Sequence, residues 1–239
     1  MELMNNLIPK MIHQIWSDVY EPLPKIFQEL GDTWKYFHKD WQYVLWDDEK
    51  IEQFVNRYFP LCAKPFNSFA YNVQRWDVIR YLILYKMGGL YVDFDYECID
   101  PVEKVLLGNC CFALEPEEHR LPFLDPNHPY FNNAFMAAIP GHPFMKRVIN
   151  DVFQKDLSSL PENKTRFEHV LCTTGPGMLS DVYASYTGKE NIYLIPAEYV
   201  SPFSSPEIRS IWHGVIEQDW EDRLQKAVAV HYFMGTWDK

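Results

Sequence analysis

The sequence has few of the features that mark secreted, zinc-binding and membrane-spanning proteins. Its five cysteines are odd in number and form no C-x-x-C pair, so neither a zinc knuckle nor a disulfide framework is predicted. The first ten residues, MELMNNLIPK, lack the basic and then apolar order of a secretion signal. Reduced thiols are typical of a cytoplasm-like compartment, and we therefore expect a cytoplasmic protein.

Positive charge is also scarce, and the apolar stretches are interrupted. The chain has 22 Lys and Arg against 33 Asp and Glu, a formal net charge of −11 that disfavours nucleic acid as a partner. An anionic ligand would need a local cation to neutralise it. The most apolar stretch, VIRYLILYKMGGLYV, contains Arg80 and Lys86, so no membrane span is predicted, although peripheral contact with a membrane is compatible with the sequence.

Apolar and aromatic side chains are abundant. With 47% hydrophobic and 16% aromatic residues, the 239 residues suffice for one large domain, 1–239. Predicted strands alternate with predicted helices, which indicates an α/β fold. The strands are predicted over 8–16, 41–48, 90–95, 109–116, 132–139, 191–200 and 226–239, and the helices over 21–37, 47–59, 67–87, 142–157 and 175–186.

Two carboxylates end the strand that follows a glycine pair, in the segment GGLYVDFDYECID (88–100). In open α/β sheets, ligands bind at the carboxyl ends of strands, where Asp93 and Asp95 are expected. Three interpretations stay open: a polar loop, a nucleophile that attacks phosphate, and a site for Mg²⁺ or Mn²⁺. The second normally requires a small hydroxyl residue where Glu97 stands. Two like charges ~4 Å apart repel by about 4 kcal/mol at an effective dielectric of ~20, so carboxylates that face a diphosphate would need the cation.

The preceding helix carries a charged pair of its own. Asp77 and Arg80 lie three residues apart, hence on one face of the helix. A surface ion pair would contribute little, but the neighbouring residues are apolar on all sides, which predicts a largely buried helix. A charged pair inside such a helix indicates a polar ligand nearby, and the short glycine connection would bring the pair close to Asp93 and Asp95.

The segment RWDVIRYLILYKMGGLYVDFD (75–95) resembles the signature of glycosyltransferase family 32, the capsular-polysaccharide and yeast mannosyltransferase-like enzymes with an Asp-x-Asp motif. The glycosylating domains of large clostridial toxins are more distant relatives. Four further segments match in order, namely IPKMIHQIW, NNAFMAAIPGHPFM, TTGPGML and HYFMGTW. The resemblance implies a GT-A fold, a Rossmann-like nucleotide-diphospho-sugar transferase fold with a mixed central sheet flanked by helices.

The resemblance also implies a catalytic centre formed by Asp77, Arg80, Asp93 and Asp95. Asp95 matches the direct metal ligand, and Asp93 matches a contact to the ribose or sugar, or to the metal through water. Asp77 and Arg80 match the residues that hold the sugar hydroxyls and the phosphate region. His231 matches a late contact to the metal or diphosphate, so the implied metal ligands are Asp95, Asp93 and His231.

Further residues are implied to contact the sugar nucleotide. They are Gln14, Ile15 and Trp16 beside the base and ribose, Asn133 and the Gly175-Pro176-Gly177 turn near the sugar, and Trp237 as a closing side chain. Alternatives stay open, since Trp16 would also suit the core and His231 a simple hydrogen bond. The turn would also suit a plain helix start, and it lacks the lysine of a phosphate loop. Strand neighbours point to opposite faces, so Gln14 is expected to face the ligand and His13 to be structural.

These inferences predict a metal-dependent, retaining glycosyltransferase that moves a hexose from a UDP- or GDP-sugar to a glycan or polysaccharide acceptor, with Mn²⁺ or Mg²⁺ as cofactor. Trp76 stands where the family usually has serine or another small residue, so the sugar stays open. Residues 117–131 and 200–215 are expected to recognise the acceptor. Without an N-terminal anchor, a bacterial or viral cytoplasmic enzyme is favoured. The alternatives are an effector that glycosylates a protein, a non-catalytic nucleotide-sugar or glycan-binding protein, and a phosphohydrolase.

Overall fold

The computed structural model describes residues 8–19, 21–120, 128–154, 165–215 and 219–235. The strands are β1 Met11–Ile15, β2 Gln42–Trp46, β3 Gly89–Val92, β4 Tyr96–Cys98, β5 Cys110–Leu114, β6 Phe131–Ala138, β7 Tyr193–Ile195 and β8 Ala229–His231. The helices are α1 Lys25–Phe37, α2 Asp48–Tyr58, α3 Pro60–Asn67, α4 Asn72–Met87, α5 Pro143–Gln154, α6 Arg166–Thr173, α7 Pro176–Ser185, α8 Ala197–Val200, α9 Ser205–Trp212 and α10 Trp220–Lys226.

Six of the described strands form one sheet in the order β2-β1-β3-β6-β5-β7, and β4 pairs with β8 in a second, small sheet. β1 is parallel to β2 and β3, and β7 is parallel to β5, whereas β6 is antiparallel to both of its neighbours. The predicted mixed sheet is therefore confirmed. Because only β6 is reversed, the carboxyl ends of the other five strands and the start of β6 meet at one edge.

Alternate residues of each strand face opposite layers of helices. Tyr91 packs with α2, α4, α5 and α7 on one face, while Leu90 and Val92 pack with Trp34 of α1 on the other. The predicted burial of α4 is confirmed, because six of the seven residues from 78 to 84 are apolar or aromatic and have no solvent exposure, and the seventh is the buried Arg80. The six are Val78, Ile79, Tyr81, Leu82, Ile83 and Leu84.

The glycine pair between α4 and β3 is required by both conformation and space. Gly88 and Gly89 adopt φ values of +69° and +100°, which side chains other than glycine rarely adopt. A Cβ on Gly89 would lie 2.6 Å from the carbonyl oxygen of Met11, and one on Gly88 would lie 2.6 Å from Cδ of Pro140. This tight turn lets β3 start at once, so that the end of β3 returns to the amino-terminal half of α4.

Two sequence predictions of element boundaries are wrong. The helix predicted over 67–87 begins only at Asn72, because Asn67 ends α3 and the Gln74 side chain caps α4 by accepting a hydrogen bond from the backbone N–H of Tyr71 at 3.1 Å. The strand predicted over 191–200 ends at Ile195, because Pro196 begins a short helical turn. In the described part of the chain, no helix combines the length and the apolar character that a membrane span needs.

Candidate active site

A cavity of about 760 Å³ opens at the carboxyl edge of the sheet. The residues that follow β1 and β3 and those that begin β6 line it, and Glu115, directly after β5, lines its far end. Helices α4 and α6 contribute the side wall. The volume lies within the ~300–1,000 Å³ range of small-molecule and cofactor sites. The structure thus places a ligand-sized cavity where the sequence predicted the carboxylate pair.

Arg80 is the centre of what we call the arginine cluster, which comprises Asp77, Arg80, Asp93 and Asn133. Its guanidinium lies 3.6 Å from the Asp77 carboxylate and 3.4 Å from that of Asp93, and it donates to the Asn133 carbonyl at 2.8 Å. Asp77 and Arg80 are buried. Arg80 is shared by the two carboxylates, so each buried charge has a partner, as burial of charged groups requires, and the cluster keeps one net negative charge.

Asp77 is fixed on both carboxylate oxygens. Its Oδ1 accepts from the Asn133 amide at 2.8 Å, and its Oδ2 accepts from the Thr174 hydroxyl at 2.9 Å. Burial raises the pKa of Asp77, although Arg80 and these two donors oppose the increase. A Cβ on Gly175 would approach Leu171 and Asp77, so the Gly-Pro-Gly turn packs closely against this carboxylate. The turn therefore lies beside Asp77, and its contact with the sugar stays a prediction.

Asp93 follows β3, forms a backbone hydrogen bond to the start of β6 and lines the cavity. Its backbone N–H donates to the Ala134 carbonyl at 2.8 Å, and its carboxylate accepts from the Tyr91 hydroxyl. Desolvation raises the pKa of Asp93; Arg80 lowers it, and the neighbouring Asp95 raises it further. Asp93 therefore stands between one positive and one negative group at the mouth of the site.

Asp95 forms an ion pair with His231 from the carboxyl-terminal strand. The Nε2 atom of His231 lies 3.3 Å from Oδ2 of Asp95, which also accepts from the Met234 backbone N–H at 3.0 Å. Desolvation alone would raise the pKa of Asp95, but the charge and hydrogen bond of His231 and the Met234 N–H hold it below its usual range. Conversely, burial would lower the pKa of His231, and Asp95 raises it instead. The two shifts agree on a charged pair as long as no metal is bound; a metal would require the neutral imidazole, so His231 would release its proton on binding one.

The three implied metal ligands fit a cation that obtains the rest of its coordination shell from the substrate. Among the described residues, no three His, Cys, Asp or Glu side chains already converge to hold a metal. Asp95 and His231 are paired, Asp93 lies two positions before Asp95, and Nδ1 of His231 is buried without a hydrogen-bond partner. Carboxylate oxygens suit Mg²⁺ and Mn²⁺, which commonly take one or two protein carboxylates and obtain their other ligands from substrate phosphates and water.

An aromatic recess lies at the β1 end of the cavity. The ring of Trp16 lies 5.4 Å from that of Phe27 and 6.0 Å, edge to face, from that of Phe94. The Trp16 indole donates to the Glu21 carbonyl, and Ile15 lines the cavity beside it. This recess can hold a flat ring such as a nucleobase. The sequence analysis missed Phe94, whose position between the two motif aspartates is its only signal.

Gln14 and His13 both lie behind the cavity wall. His13 accepts from the Trp46 indole and is 2.9 Å from the Gly88 carbonyl, as its predicted structural role requires. Gln14 is fully buried, accepts from the Tyr43 hydroxyl and donates to the Asp93 carbonyl at 3.3 Å. The expectation that Gln14 faces the ligand is corrected: its side chain supports the backbone of Asp93, because helix α1 packs over it at Gly31, where a Cβ would lie 3.1 Å from its Oε1.

The far end of the cavity contains a polar group that the sequence analysis missed, here called the Glu115 cluster. It comprises Glu115, His119 and Asn132. Glu115 accepts from the Asn132 amide at 2.7 Å and pairs with Nδ1 of His119 at 2.8 Å. The acid that ends the NCCFALE segment was its only sequence signal. Trp237, predicted to close over the site, lies outside the described residues, as do 121–127 of the predicted acceptor segment.

Comparison with known families gives a match and several relatives. A family profile described as "Glycosyltransferase sugar-binding region containing DXD motif" matches residues 24–112. Inositol phosphoceramide mannosyltransferase 1 of Schizosaccharomyces pombe is 31% identical over 96% of this chain and 70% of its own length. A mannosyl phosphorylinositol ceramide synthase of Saccharomyces cerevisiae is 32% identical over 87% of this chain, which spans only about half (53%) of that relative.

Solved structures agree on the fold. The UDP-bound glycosyltransferase domain from the YGT toxin superposes with a TM-score of 0.58 at 10% identity, covering 92% of this chain and 89% of that domain. The PaToxG glycosyltransferase gives 0.54 at 14% identity, with 92% and 84% covered. At these identities the likeness concerns the fold alone, and it confirms the predicted GT-A architecture.

Proposed function

The chain belongs to the family of glycosyltransferases with a DXD-containing sugar-binding region, and from this premise we propose that it is a metal-dependent, retaining hexosyltransferase. The sugar donor is a UDP- or GDP-hexose, and the names of the relatives favour mannose. The acceptor is a hydroxyl of a glycan or of a polyol headgroup. The observation that carries the proposal is Arg80, which joins the helix acid Asp77 to the motif acid Asp93 on the cavity wall.

The position of each group along the sheet edge gives it a role. The aromatic recess at β1 holds the base, and the diphosphate lies beside Asp93 and Asp95, near the Arg80 guanidinium. When bound there by Asp95, Asp93 and His231, Mn²⁺ or Mg²⁺ supplies Lewis-acid neutralisation of the diphosphate. Arg80 adds a fixed positive charge from the protein side. Asp77 and Asn133 lie where the sugar hydroxyls follow, and their mutual hydrogen bond fixes both side chains.

The transfer then exchanges one bond for another. The acceptor oxygen forms a bond to the anomeric carbon while the bond between that carbon and the diphosphate oxygen breaks. The nucleoside diphosphate leaves with the electron pair, and the acceptor proton passes to it. Attack on the face from which the diphosphate departs retains the configuration. This sequence of events requires orientation and electrostatic stabilisation from Arg80 and Asp77, and it requires no protein nucleophile.

The test measures nucleoside diphosphate release from nucleotide sugars with and without Mn²⁺. We expect release by the unmodified protein only with the metal, and its loss in Asp95→Asn even with excess metal. Asp32→Asn serves as the matched control, because the Asp32 side chain is 67% exposed on α1. Near-normal release by Asp95→Asn would contradict the metal assignment. Binding of a nucleotide sugar without release would favour a non-catalytic binding protein, and cleavage of simple phosphate esters would favour a phosphohydrolase.

A further inference from the structure

The Glu115 cluster lies beyond the residues assigned to the sugar donor. We propose that the Glu115 carboxylate accepts hydrogen bonds from hydroxyl groups of the acceptor, and that the acceptor is a neutral polyol ring such as a sugar or an inositol. The proposal rests on the function proposed above and assigns the acceptor end of the same cavity. Glu115 follows β5, which is two strands from β3, so at ~4.8 Å per strand it lies on the order of 10 Å from the motif aspartates along the edge.

This direction agrees with the order of groups in the donor. The base recess is at β1, the phosphate-binding residues are at β3, and the sugar-binding residues Asp77 and Asn133 are at α4 and the start of β6. The next strand along the edge is β5. In the retaining transfer proposed above, the acceptor reaches the anomeric carbon on the face from which the diphosphate departs, and Glu115 lines the same cavity beyond the sugar-binding residues.

The orientation of Glu115 is set by two side chains that the backbone fixes in turn. Nε2 of His119 accepts from the Ser205 N–H at 2.8 Å, so the proton of a neutral ring is on Nδ1, which donates to Glu115. Oδ1 of Asn132 accepts from the N–H groups of Ala134 and of the following residue, so its NH₂ group is the one that faces Glu115. The carboxylate is therefore held in one position before any ligand binds.

The charge of Glu115 selects the kind of group that can bind there. A carboxylate has about four acceptor positions, and the two hydrogen bonds from His119 and Asn132 use two of them. The side chain is only 9% exposed, and it lines the cavity. In such a position it repels phosphate and attracts O–H donors. This end of the cavity is thus suited to hydroxyl groups, in contrast to the diphosphate end with its arginine.

An aromatic ring next to Glu115 supplies an apolar surface. Phe233 lines the cavity, and its ring packs edge-on against His119 at 4.6 Å and lies 3.9 Å from that of His231. Its φ of +49° is the only positive value among the described residues other than glycine. Strained backbone is retained where the surroundings enforce it, commonly at ligand sites. A carboxylate beside an aromatic ring matches a polyol ring, which has hydroxyl edges and apolar faces.

His119 also explains how two separate segments meet here. The hydrogen bond from Ser205 joins the turn after β5 to the first residue of α9. These are the two segments, 117–131 and 200–215, that the sequence analysis predicted as acceptor loops.

The experiment compares Glu115→Gln with Glu29→Gln, a matched control on α1 whose side chain is 59% exposed. Methyl mannoside and myo-inositol serve as acceptor probes with GDP-mannose or a UDP-hexose and Mn²⁺. For Glu115→Gln we expect kcat/KM for the acceptor to fall about 10- to 100-fold, the range of a lost charged hydrogen bond. Donor KM and acceptor-independent hydrolysis should stay within about 2-fold, since Glu115 touches no donor group. Glu29→Gln should leave all of these values unchanged.

A second variant, Glu115→Asp, keeps the charge and moves it, so its loss should be smaller than that of Glu115→Gln. A thermal shift with Mn²⁺ and nucleoside diphosphate verifies that each variant is folded. Equal loss of hydrolysis and transfer, no loss in either variant, or no stimulation of the unmodified protein by any polyol would overturn the proposal. Failure of the proposed function is a different result, namely no nucleoside diphosphate release by the unmodified protein from any nucleotide sugar.

Discussion

The arginine cluster and the Glu115 cluster lie at the same sheet edge, but the fold holds them in different ways. Asp77 and Arg80 project from the middle of a buried helix, and Asn133 is part of a central strand. In the Glu115 cluster, Glu115 and His119 lie in and near a turn after β5, and His119 reaches the start of a surface helix. Three of the four residues of the arginine cluster lie on core elements, whereas two of the three residues of the Glu115 cluster lie in or near the turn after β5.

The difference follows from what each cluster has to do. Paired charges in the core cannot move without exposing an uncompensated partner, so the arginine cluster is suited to a fixed ligand such as a diphosphate sugar. Loops tolerate substitution and insertion far better than core strands do. A group such as the Glu115 cluster can therefore change its ligand without disturbing the sheet. With the roles proposed above, the fold would separate a constant chemical step from variable recognition of the acceptor.

The comparison predicts that the arginine cluster is critical for stability. Arg80→Met would leave Asp77 and Asp93 without their shared cation, and removal of one partner from a buried charge network costs about 3–5 kcal/mol. We expect the free energy of unfolding in urea to fall by that amount. Arg147→Met is the matched control, because Arg147 pairs with Asp151 on the surface, and its effect should stay within about 1 kcal/mol. If Arg80→Met lowered the free energy of unfolding by less than about 1 kcal/mol, as expected for the surface control, the cluster would be hydrated and not part of the core.

The same contrast explains which parts of the site the sequence could predict. Asp77, Arg80, Asp93 and Asp95 lie within 19 residues on one helix, one turn and one strand, so local periodicity sufficed to bring them together. The Glu115 cluster requires contact between residues 17 and 86 positions apart, and no local pattern specifies such contacts.

Prediction also failed where tertiary structure overrides a local pattern. Alternation along β1 was correct in separating His13 from Gln14, but helix α1 packs at Gly31 over the face that was expected to be open. The helix was predicted to begin at residue 67, because the sequence does not reveal the break that precedes Tyr71. The role of Phe233 depends on a backbone conformation that composition does not indicate.

A second prediction concerns the pH dependence of the free energy of unfolding, which is expected to reflect the buried side chain of His13. Burial lowers the pKa of His13 to about 4, and its neutral ring accepts from the Trp46 indole and contacts Gly88, the turn before β3. The unfolded chain, with an ordinary pKa of about 6.5, binds more protons than the folded one between these values. Stability due to neutral His13 is therefore full above about pH 6.5 and falls as the pH decreases toward 4.

Between pH 7 and pH 5 this linkage amounts to about 2 kcal/mol. Urea unfolding of the unmodified protein and of His13→Gln at both pH values isolates it, because other buried histidines contribute equally to both proteins. We expect His13→Gln to be less stable at pH 7 and to lose about 2 kcal/mol less on acidification. Identical pH dependence in the two proteins would show that His13 is solvated or already protonated.

The smallest expected effect is that of His119→Gln on stability, and it tests the loop side of the comparison. His119 makes two hydrogen bonds, to Glu115 and to the Ser205 N–H, at a position where its side chain is 15% exposed. Water can replace such bonds in part, so the free energy of unfolding in urea should fall by about 1 kcal/mol or less. The KM for the acceptor should rise nonetheless, because Glu115 loses one of the two groups that orient it. If His119→Gln instead costs as much stability as Arg80→Met, the Glu115 cluster belongs to the core, and the division into a fixed donor side and an adaptable acceptor side fails.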